Sequence, residues 1–398
     1  YAHKFRFDFN GSKSAVMSFN TNADTKRRVA ATNWELLGEK VKVKHQYTYL
    51  GIEITTKFWK WKTYFQKAIN KARKATNHLL YICRNDDGLL PRPARSYWIA
   101  KVRPILEYAA EIFAGEISQE QINAAEKIQT DFARGVLGLH HADGISNAAI
   151  LAELGLEPLT SRWYKLRLGY WRRIFTYNSH RLLRSLIQHR RTQTIQDPQR
   201  HGWCSTTKRI LDILGLHEAW EHPLQCAGKS KDTWKQEVYQ ATESHFNQIR
   251  QHTMEALPSL HRYIQIKPWQ RKTRDRCFST GEQEKLGMLC TESYLDDWEE
   301  NIGRKLKTLC RLNALPLMDK IGKREQWNTN IGSVRWKCPM CKLLNDNITH
   351  FFFECTAIHR YRITLMNKIT ATLTLAQQPH QHKLVRPKDS FFATPGRR

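Results

Sequence analysis

At 398 residues the chain has room for two or three domains with separate cores, and a hydrophobic content of 41% keeps it in the globular class. A formal net charge of +27 is far more than solubility needs and implies a polyanionic partner; thirteen Trp and fourteen Tyr alongside it favour nucleic acid over membrane. No apolar run approaches the roughly 18 residues of a membrane span, and Tyr1-Ala2-His3-Lys4 lacks the apolar centre of a signal peptide.

An intracellular location, nucleus and cytoplasm, is therefore expected. Nine cysteines, most of them isolated in helical-looking sequence (Cys83, Cys204, Cys226, Cys277, Cys290, Cys310), read as reduced thiols and not as a disulfide framework. Tyr1 is not an initiator residue, so the chain is expected to start within a longer reading frame.

In chain order, Asn10-Gly11 is a tight-turn dipeptide, followed by a short apolar run from Val16 and Met17 to Phe19. Residues 20–46 are mixed and charged, suggesting a loop with short strands. Tyr49, Leu50, Ile52 and Ile54 have strand character broken by Gly51, which implies a strand with a close backbone approach. From Phe58 the period becomes helical: Phe65, Ile69, Ala72, Ala75 and Leu79 mark one face, with Lys62, Lys67, Lys71, Arg73 and Lys74 on others. The alternation Lys57-Phe58-Trp59-Lys60-Trp61-Lys62 could straddle a phosphate backbone or pack tryptophans at the helix entry. Packing at the helix entry is the preferred reading.

Leu89-Leu90-Pro91-Arg92-Pro93 reads as a breaker, with a helix following through Lys101–Ala109. Ser118 and Gln121 form a capping box ahead of Ile122, Ala125, Ile128, Phe132 and Val136. Three helices, this one included, are expected to stop alike, at Leu137-Gly138-Leu139, Leu154-Gly155-Leu156 and Leu214-Gly215-Leu216. Between 161 and 210 a dense set of cations, including Arg162, Lys165, Arg167, Arg172, Arg173, Arg181, Arg184, Arg190 and Arg191, faces a single acid, Asp197. A solvated face normally mixes signs, so this stretch is expected to touch phosphates. Residues 216–285 are polar, rich in His and Gln, and read as a linker.

Near the carboxyl end, Cys338-Pro339-Met340-Cys341 is followed by His350 and Cys355 in the spacing C-x2-C-x8-H-x4-C. Three thiolates and one imidazole make a tetrahedral zinc set, with His359 a rival for the fourth place. A filled four-ligand sphere leaves no position for water, so the metal would be structural.

Several of these pieces resemble parts of one family. Asn10-Gly11-Ser12-Lys13-Ser14-Ala15-Val16-Met17, followed by Tyr49-Leu50-Gly51, is similar to the last two palm motifs of non-LTR (LINE-type) retrotransposon reverse transcriptases. The order continues through Val102–Ala109, Glu126-Lys127-Ile128-Gln129, Leu137-Gly138 and Ala152–Leu159 with Arg162, which resembles the helical thumb. Arg304-Lys305-Leu306 through Leu317 resembles the segment before a C-terminal zinc knuckle in those elements. The resemblance covers roughly residues 1–175 plus the cysteine region.

The resemblance implies a C-terminal portion of an RNA-directed DNA polymerase that binds RNA template and DNA target or primer. Lys13 would serve the leaving pyrophosphate, and Tyr49, Leu50 and Gly51 would grip the primer. Lys101, Arg103, Arg162, Arg172 and Arg173 would contact nucleic acid. The family's catalytic aspartates, which hold two Mg ions, belong upstream of the Lys13 motif, so this chain alone is expected not to polymerise. Tyr294-Leu295-Asp296-Asp297 spells Y-x-D-D but lies far beyond the thumb, within an expected acidic-then-basic helix over Cys290–Lys307. No acidic cluster after the knuckle suits a nuclease.

The expected fold is mostly α: a palm edge with a small β component over 1–56, a helical thumb and basic connector over 57–215, a linker or helical region over 216–285, a zinc-knuckle domain over 286–365 and a flexible tail over 366–398. Two other readings stand beside the polymerase one: a host-adapted, non-catalytic zinc-containing RNA- or DNA-binding protein, and a decayed element.

Overall fold

The computed structural model describes residues 9–10, 13–19, 21–36, 38–56, 61–84, 88–197, 199, 201–266, 293–296, 301–324 and 336–377. The chain divides into two compact units, Tyr1–Ala314 and Leu315–Arg398. The described residues are mostly helical, with only short strands.

The first unit opens with three two-stranded pieces. Strand β1 (Ala15–Val16) pairs in parallel with β4 (Lys42–Val43), and the hairpin β2 (Glu35–Leu36) with β3 (Glu39–Lys40) lies between them in the chain. Strands β5 (Gln46–Tyr49) and β6 (Ile52–Thr55) form a second antiparallel hairpin with Tyr49 opposite Ile52. Leu50 and Gly51 are its two-residue turn, with φ of 48° and 77°. Two positive φ values are the signature of a type I′ turn, whose twist matches that of the strands. Gly51 therefore turns the chain and does not interrupt a strand at a close approach. Residues 20–46 also differ from expectation: helix α1 (Ala23–Ala31) forms there, capped by the Asn22 side chain on the Thr25 N–H. None of its residues is buried, which is why no apolar period marks it.

A long helix, α2 (Trp61–Arg84), begins the helical body, with Trp61, Phe65, Ile69, Ala72 and Leu79 buried along one face. Trp61 sits 6.0 Å from Phe113, so it packs the helix entry; Trp59 lies outside the described residues. The proline stretch is not a breaker ahead of a later helix. Pro91 is the first residue of α3 (Pro91–Tyr97), a position that needs no N–H. Pro104 has no N–H to offer one turn back, and the chain widens into a π turn at Trp98–Val102 before α4 (Arg103–Glu107). After α5 (Ala110–Phe113), the Ser118–Gln121 capping box starts α6 (Gln119–Leu137) as expected.

Helices α7 (Asn147–Glu153) and α8 (Leu159–Thr176) follow, then α9 (Leu182–Gln196) and α10 (Trp203–Ile213). All three Leu-Gly-Leu stops take the same form. Gly138, Gly155 and Gly215 have φ of 67°, 67° and 68°. The next leucine donates its N–H back to Arg134, Leu151 and Leu211 at 2.9, 2.8 and 2.8 Å. This is the Schellman closure, with the leucine returned to the core.

Beyond α11 (Glu218–Glu221) and α12 (Pro223–Gly228) runs the 25-residue α13 (Lys231–Glu255), packed on α8. The His/Gln-rich surface of this stretch masks a buried stripe of Trp234, Val238, Thr242, Arg250 and Met254 at helical spacing. Helix α14 (His261–Ile266) and α15 (Asn301–Arg311) complete the described part of the unit.

The core is aromatic. Trp163 meets Phe65 and Phe113 edge-on at 5.5 and 5.6 Å, Trp98 stacks on Phe132 at 4.7 Å, and Trp171 stacks on Trp220 at 5.3 Å. Seven of the nine described tryptophans are buried, so among the described residues indole builds core and supplies few stacking platforms for bases.

Candidate metal centre and basic helical surfaces

The second unit is organised by Cys338, Cys341, His350 and Cys355. Cys338 accepts the Lys342 N–H on its carbonyl at 2.8 Å and donates its own N–H to Leu344 at 2.8 Å. Lys342 adopts φ 62°, and this tight reversal brings the Cys341 thiol back toward Cys338. A bridge between Lys337 and Asn345, with the Asp346 N–H donating to Trp336, closes the knuckle.

The other two ligands bracket one π turn, His350–Glu354: His350 is its first residue and Cys355 the residue that follows it. Asn347 caps its start by accepting the His350 N–H at 2.9 Å, and the Cys355 N–H returns to the His350 carbonyl at 2.8 Å. The buried Asp346 carboxylate accepts the Met318 N–H at 3.0 Å, tying the knuckle to α16 (Met318–Arg324).

The four ligand atoms lie within 4.8 Å of one another. A tetrahedron with metal–sulfur bonds of about 2.3 Å has sulfur–sulfur edges of about 3.8 Å and sulfur–nitrogen edges of about 3.5 Å. Cys338 Sγ and Cys355 Sγ are 3.8 Å apart, and Cys341 Sγ lies 3.3 Å from His350 Nε2. The group is thus arranged to hold a metal ion.

The other imidazole nitrogen, Nδ1, is buried with no hydrogen-bond partner among the described residues, and the Glu354 carboxylate lies 3.8 Å away, beyond hydrogen-bond range. Backbone N–H groups, Leu343 first and Leu344 after it, pull the Cys341 thiol down to about 6, favouring the ligating thiolate. His359, the rival ligand, is exposed at the start of α17 (His359–Gln377) and is outside the group. The remaining described cysteines, Cys83, Cys204, Cys226 and Cys310, are free thiols, and burial pushes Cys204 up to about 11 and Cys226 up to about 12.

In the first unit the Lys13 segment, the β5–β6 hairpin and Tyr108 are linked by tyrosine hydroxyls. The Tyr47 hydroxyl donates to the Lys13 carbonyl, and the Tyr108 hydroxyl donates to Leu50 in the Tyr49-Leu50-Gly51 turn. The Tyr64 hydroxyl of α2 in turn donates to the Tyr108 carbonyl at 2.8 Å, and Lys67 pairs with Glu53 on β6. Asn10 accepts the Lys13 N–H at 2.9 Å; Gly11 lies outside the described residues. Tyr49 and Leu50 are exposed.

The cations of 161–210 divide into two groups. Arg167 is fully buried and donates to Thr207 Oγ1 at 2.9 Å, to the Ile112 carbonyl at 3.1 Å, and to the Ala114 and Trp203 carbonyls. Arg162 donates to Glu107 at 3.0 Å and Tyr239 at 2.8 Å; Arg172 to the Ala227 and Lys229 carbonyls; Arg184 to Tyr177; Arg191 to Trp220 and Glu221, both at 2.8 Å. Arg103 is paired with Glu107 at 2.9 Å. Lys101, Arg173, Arg181 and Arg190 are exposed, with Arg173 over the Tyr170 ring and Arg181 over Tyr177 at 4.8 and 4.4 Å.

The Y-x-D-D lookalike is part of the packing. Tyr294 donates its hydroxyl to Glu153 at 2.7 Å, Leu295 is buried, and Asp296 ends a short 3-10 turn; Asp297 lies outside the described residues. Glu153, itself fully buried, also accepts from Tyr263 at 2.9 Å and Arg311 at 2.6 Å. Sequence reasoning missed this carboxylate hub because its partners lie 110 to 158 residues away.

No helix among the described residues is long and apolar enough to cross a membrane. No protein-family model, curated protein or solved structure matches the chain.

Proposed function

We propose that this chain is a C-terminal portion of a non-LTR retrotransposon reverse transcriptase and that it binds primer–template and RNA. The observation that carries the reading is spatial: three sequence-distant motifs that resemble that family's, around Lys13, Tyr49-Leu50-Gly51 and Tyr108, are joined through the Tyr47 and Tyr108 hydroxyls. Strand hairpin, long helix and π-turned helix thus form one corner. Tyr49 and Leu50 face outward there, as a primer-gripping turn requires.

Phosphate attraction is assigned to the exposed cations. Helix α2 carries Lys62, Lys71, Arg73 and Lys74 on its outer side and has no acidic residue. Lys101, Arg173, Arg181 and Arg190 extend the same chemistry, and the Tyr170–Arg173 and Tyr177–Arg181 stacks offer flat surfaces to unpaired bases. The resident metal is assigned as zinc, held by Cys338, Cys341 and Cys355 as thiolates and by His350 through Nε2. Its place is structural, because the four protein ligands leave no open position.

The test is binding of the full chain to RNA and to a primer–template duplex across a salt series. Six or more phosphate contacts predict a loss of about 10³-fold or more between about 50 and 200 mM salt. An affinity that does not change with salt would remove phosphate contact, and the reading with it.

A further inference from the structure

Two arginines singled out by sequence, Arg103 and Arg162, share a cleft with Arg95, Lys165 and Arg250, and most of these cations are already matched to acceptors. The cleft has a volume of 290 Å³ and lies among the π turn, the start of α8 and the middle of α13. Arg95 spans the Gly155 carbonyl with Nε and Nη2 at 3.3 and 2.8 Å. Arg103 and Arg162 divide one carboxylate, Glu107, between them. Lys165 pairs with Glu157 and lies over the Tyr239 ring at 4.3 Å.

Arg250 differs from the others. Its side chain is 95% removed from solvent, Nη2 donates to the Leu156 carbonyl at 3.2 Å, and Nη1 is buried with no hydrogen-bond partner among the described residues. A buried charged donor without an acceptor costs free energy unless something supplies one. The carboxylates lining the cleft are Glu157, already held by Lys165, and Glu243, whose carboxyl burial pushes up to about 7. Cations outnumber acids there, and the orphan donor sits on a guanidinium, whose fork matches tetrahedral oxyanions.

We infer that this cleft is a phosphate-binding site, in which Arg250 Nη1 donates to an oxygen of a phosphate group, flanked by Arg95, Arg103, Arg162 and Lys165. The volume is at the lower end for ligand pockets and suits one phosphate with a little of what it is esterified to. The group comes either from a free phosphate compound or from one position of a nucleic-acid backbone. Only the RNA arm of the test depends on the nucleic-acid reading.

The experiment is calorimetric titration of the full chain with inorganic phosphate, and separately with a single-stranded RNA of about 12 nucleotides, in the parent, Arg250→Met and Glu243→Gln. Loss of one charge-assisted hydrogen bond weakens binding about tenfold or more in Arg250→Met. Glu243→Gln, compared with the parent at about pH 8, where a carboxyl raised to about 7 is mostly ionised, removes the opposing charge and tightens binding several-fold; that opposite sign keeps the test decisive should Arg250→Met fail to fold.

Phosphate binding that responds to Glu243→Gln while RNA affinity does not identifies a site for a free phosphate compound. RNA affinity that responds while inorganic phosphate does not bind identifies a backbone phosphate. If neither ligand responds to Glu243→Gln, the cleft is an internal salt network and the inference fails. A steep salt dependence persisting in that case leaves the nucleic-acid reading intact.

Discussion

Arginine is used here mainly where helices end. The last carbonyls of a helix have no intrahelical donor and carry the negative end of its dipole. Arg95 and Arg250 reach the Gly155 and Leu156 carbonyls just beyond α7, Arg172 the Ala227 and Lys229 carbonyls at the end of α12, Arg191 those of α11 and Arg184 the one after α8. Arg167 does this most deeply, serving Ile112 and Ala114 at the end of α5 from the core, and it also reaches the Trp203 carbonyl in the first turn of α10. Removing it would strand those acceptors, so Arg167→Met is expected to cost about 3 kcal/mol or more in urea unfolding. Arg167→Lys should recover little, since one ammonium cannot replace a fork of five donors. A variant as stable as the parent would show that water replaces the guanidinium at no cost.

At the scale of elements, α8 begins at a residue that cannot cap it. Its N-cap is Pro158, which has no polar side chain, and the cap comes from another helix instead. Glu126 on α6 accepts the Leu159 N–H at 2.7 Å and the Thr160 N–H at 3.4 Å. Burial nevertheless dominates those two bonds and pushes the Glu126 carboxyl up to about 7. The folded state therefore keeps a proton that the unfolded chain releases near 4.5, and this group's contribution to stability falls as pH rises from there toward 7.

Glu243 acts in the same direction, whereas Lys165 holds Glu157 below its usual value, so that contribution is lost on acidification. Chemical unfolding between about pH 5 and about pH 7.5 should give a flatter dependence in Glu126→Gln than in the parent. Parallel curves would mean that Glu126 stays ionised throughout. Capping boxes are legible locally, as Ser118–Gln121 was, because donor and acceptor are three residues apart. The Glu126 cap spans 33 residues and leaves no local trace.

At the scale of the whole molecule, the boundary between units falls at Leu315, later than the expected zinc domain beginning at 286. Helix α15 belongs to the first unit because Arg311 pairs with Glu153, a contact no composition shift announces. The second unit has few described apolar side chains to bury: Leu315 and Trp336 accompany the ligands Cys338, His350 and Cys355. A domain with so small a core draws its stability from the metal.

Purified protein should therefore contain one zinc per chain, and Cys341→Ser should lose it by elemental analysis. Chelation should melt the second unit while most of the helical circular-dichroism signal, carried by the first, persists. Unchanged zinc in Cys341→Ser would overturn the ligand set.

What the sequence determined by itself is the chemistry confined to one turn or one knuckle. It comprises the three Leu-Gly-Leu closures, the Ser118–Gln121 box, the buried face of α2 and the set Cys338, Cys341, His350 and Cys355. Each depends on spacing along a backbone whose local geometry is nearly fixed. Only the tertiary structure decided which cations face solvent, that most of the described tryptophans are internal, and that the His/Gln-rich stretch after 216 contains a helix packed on α8. Those outcomes depend on carbonyls, carboxylates and rings brought from tens to more than a hundred residues away. A guanidinium reads the same in sequence whether a phosphate or a helix end will satisfy it.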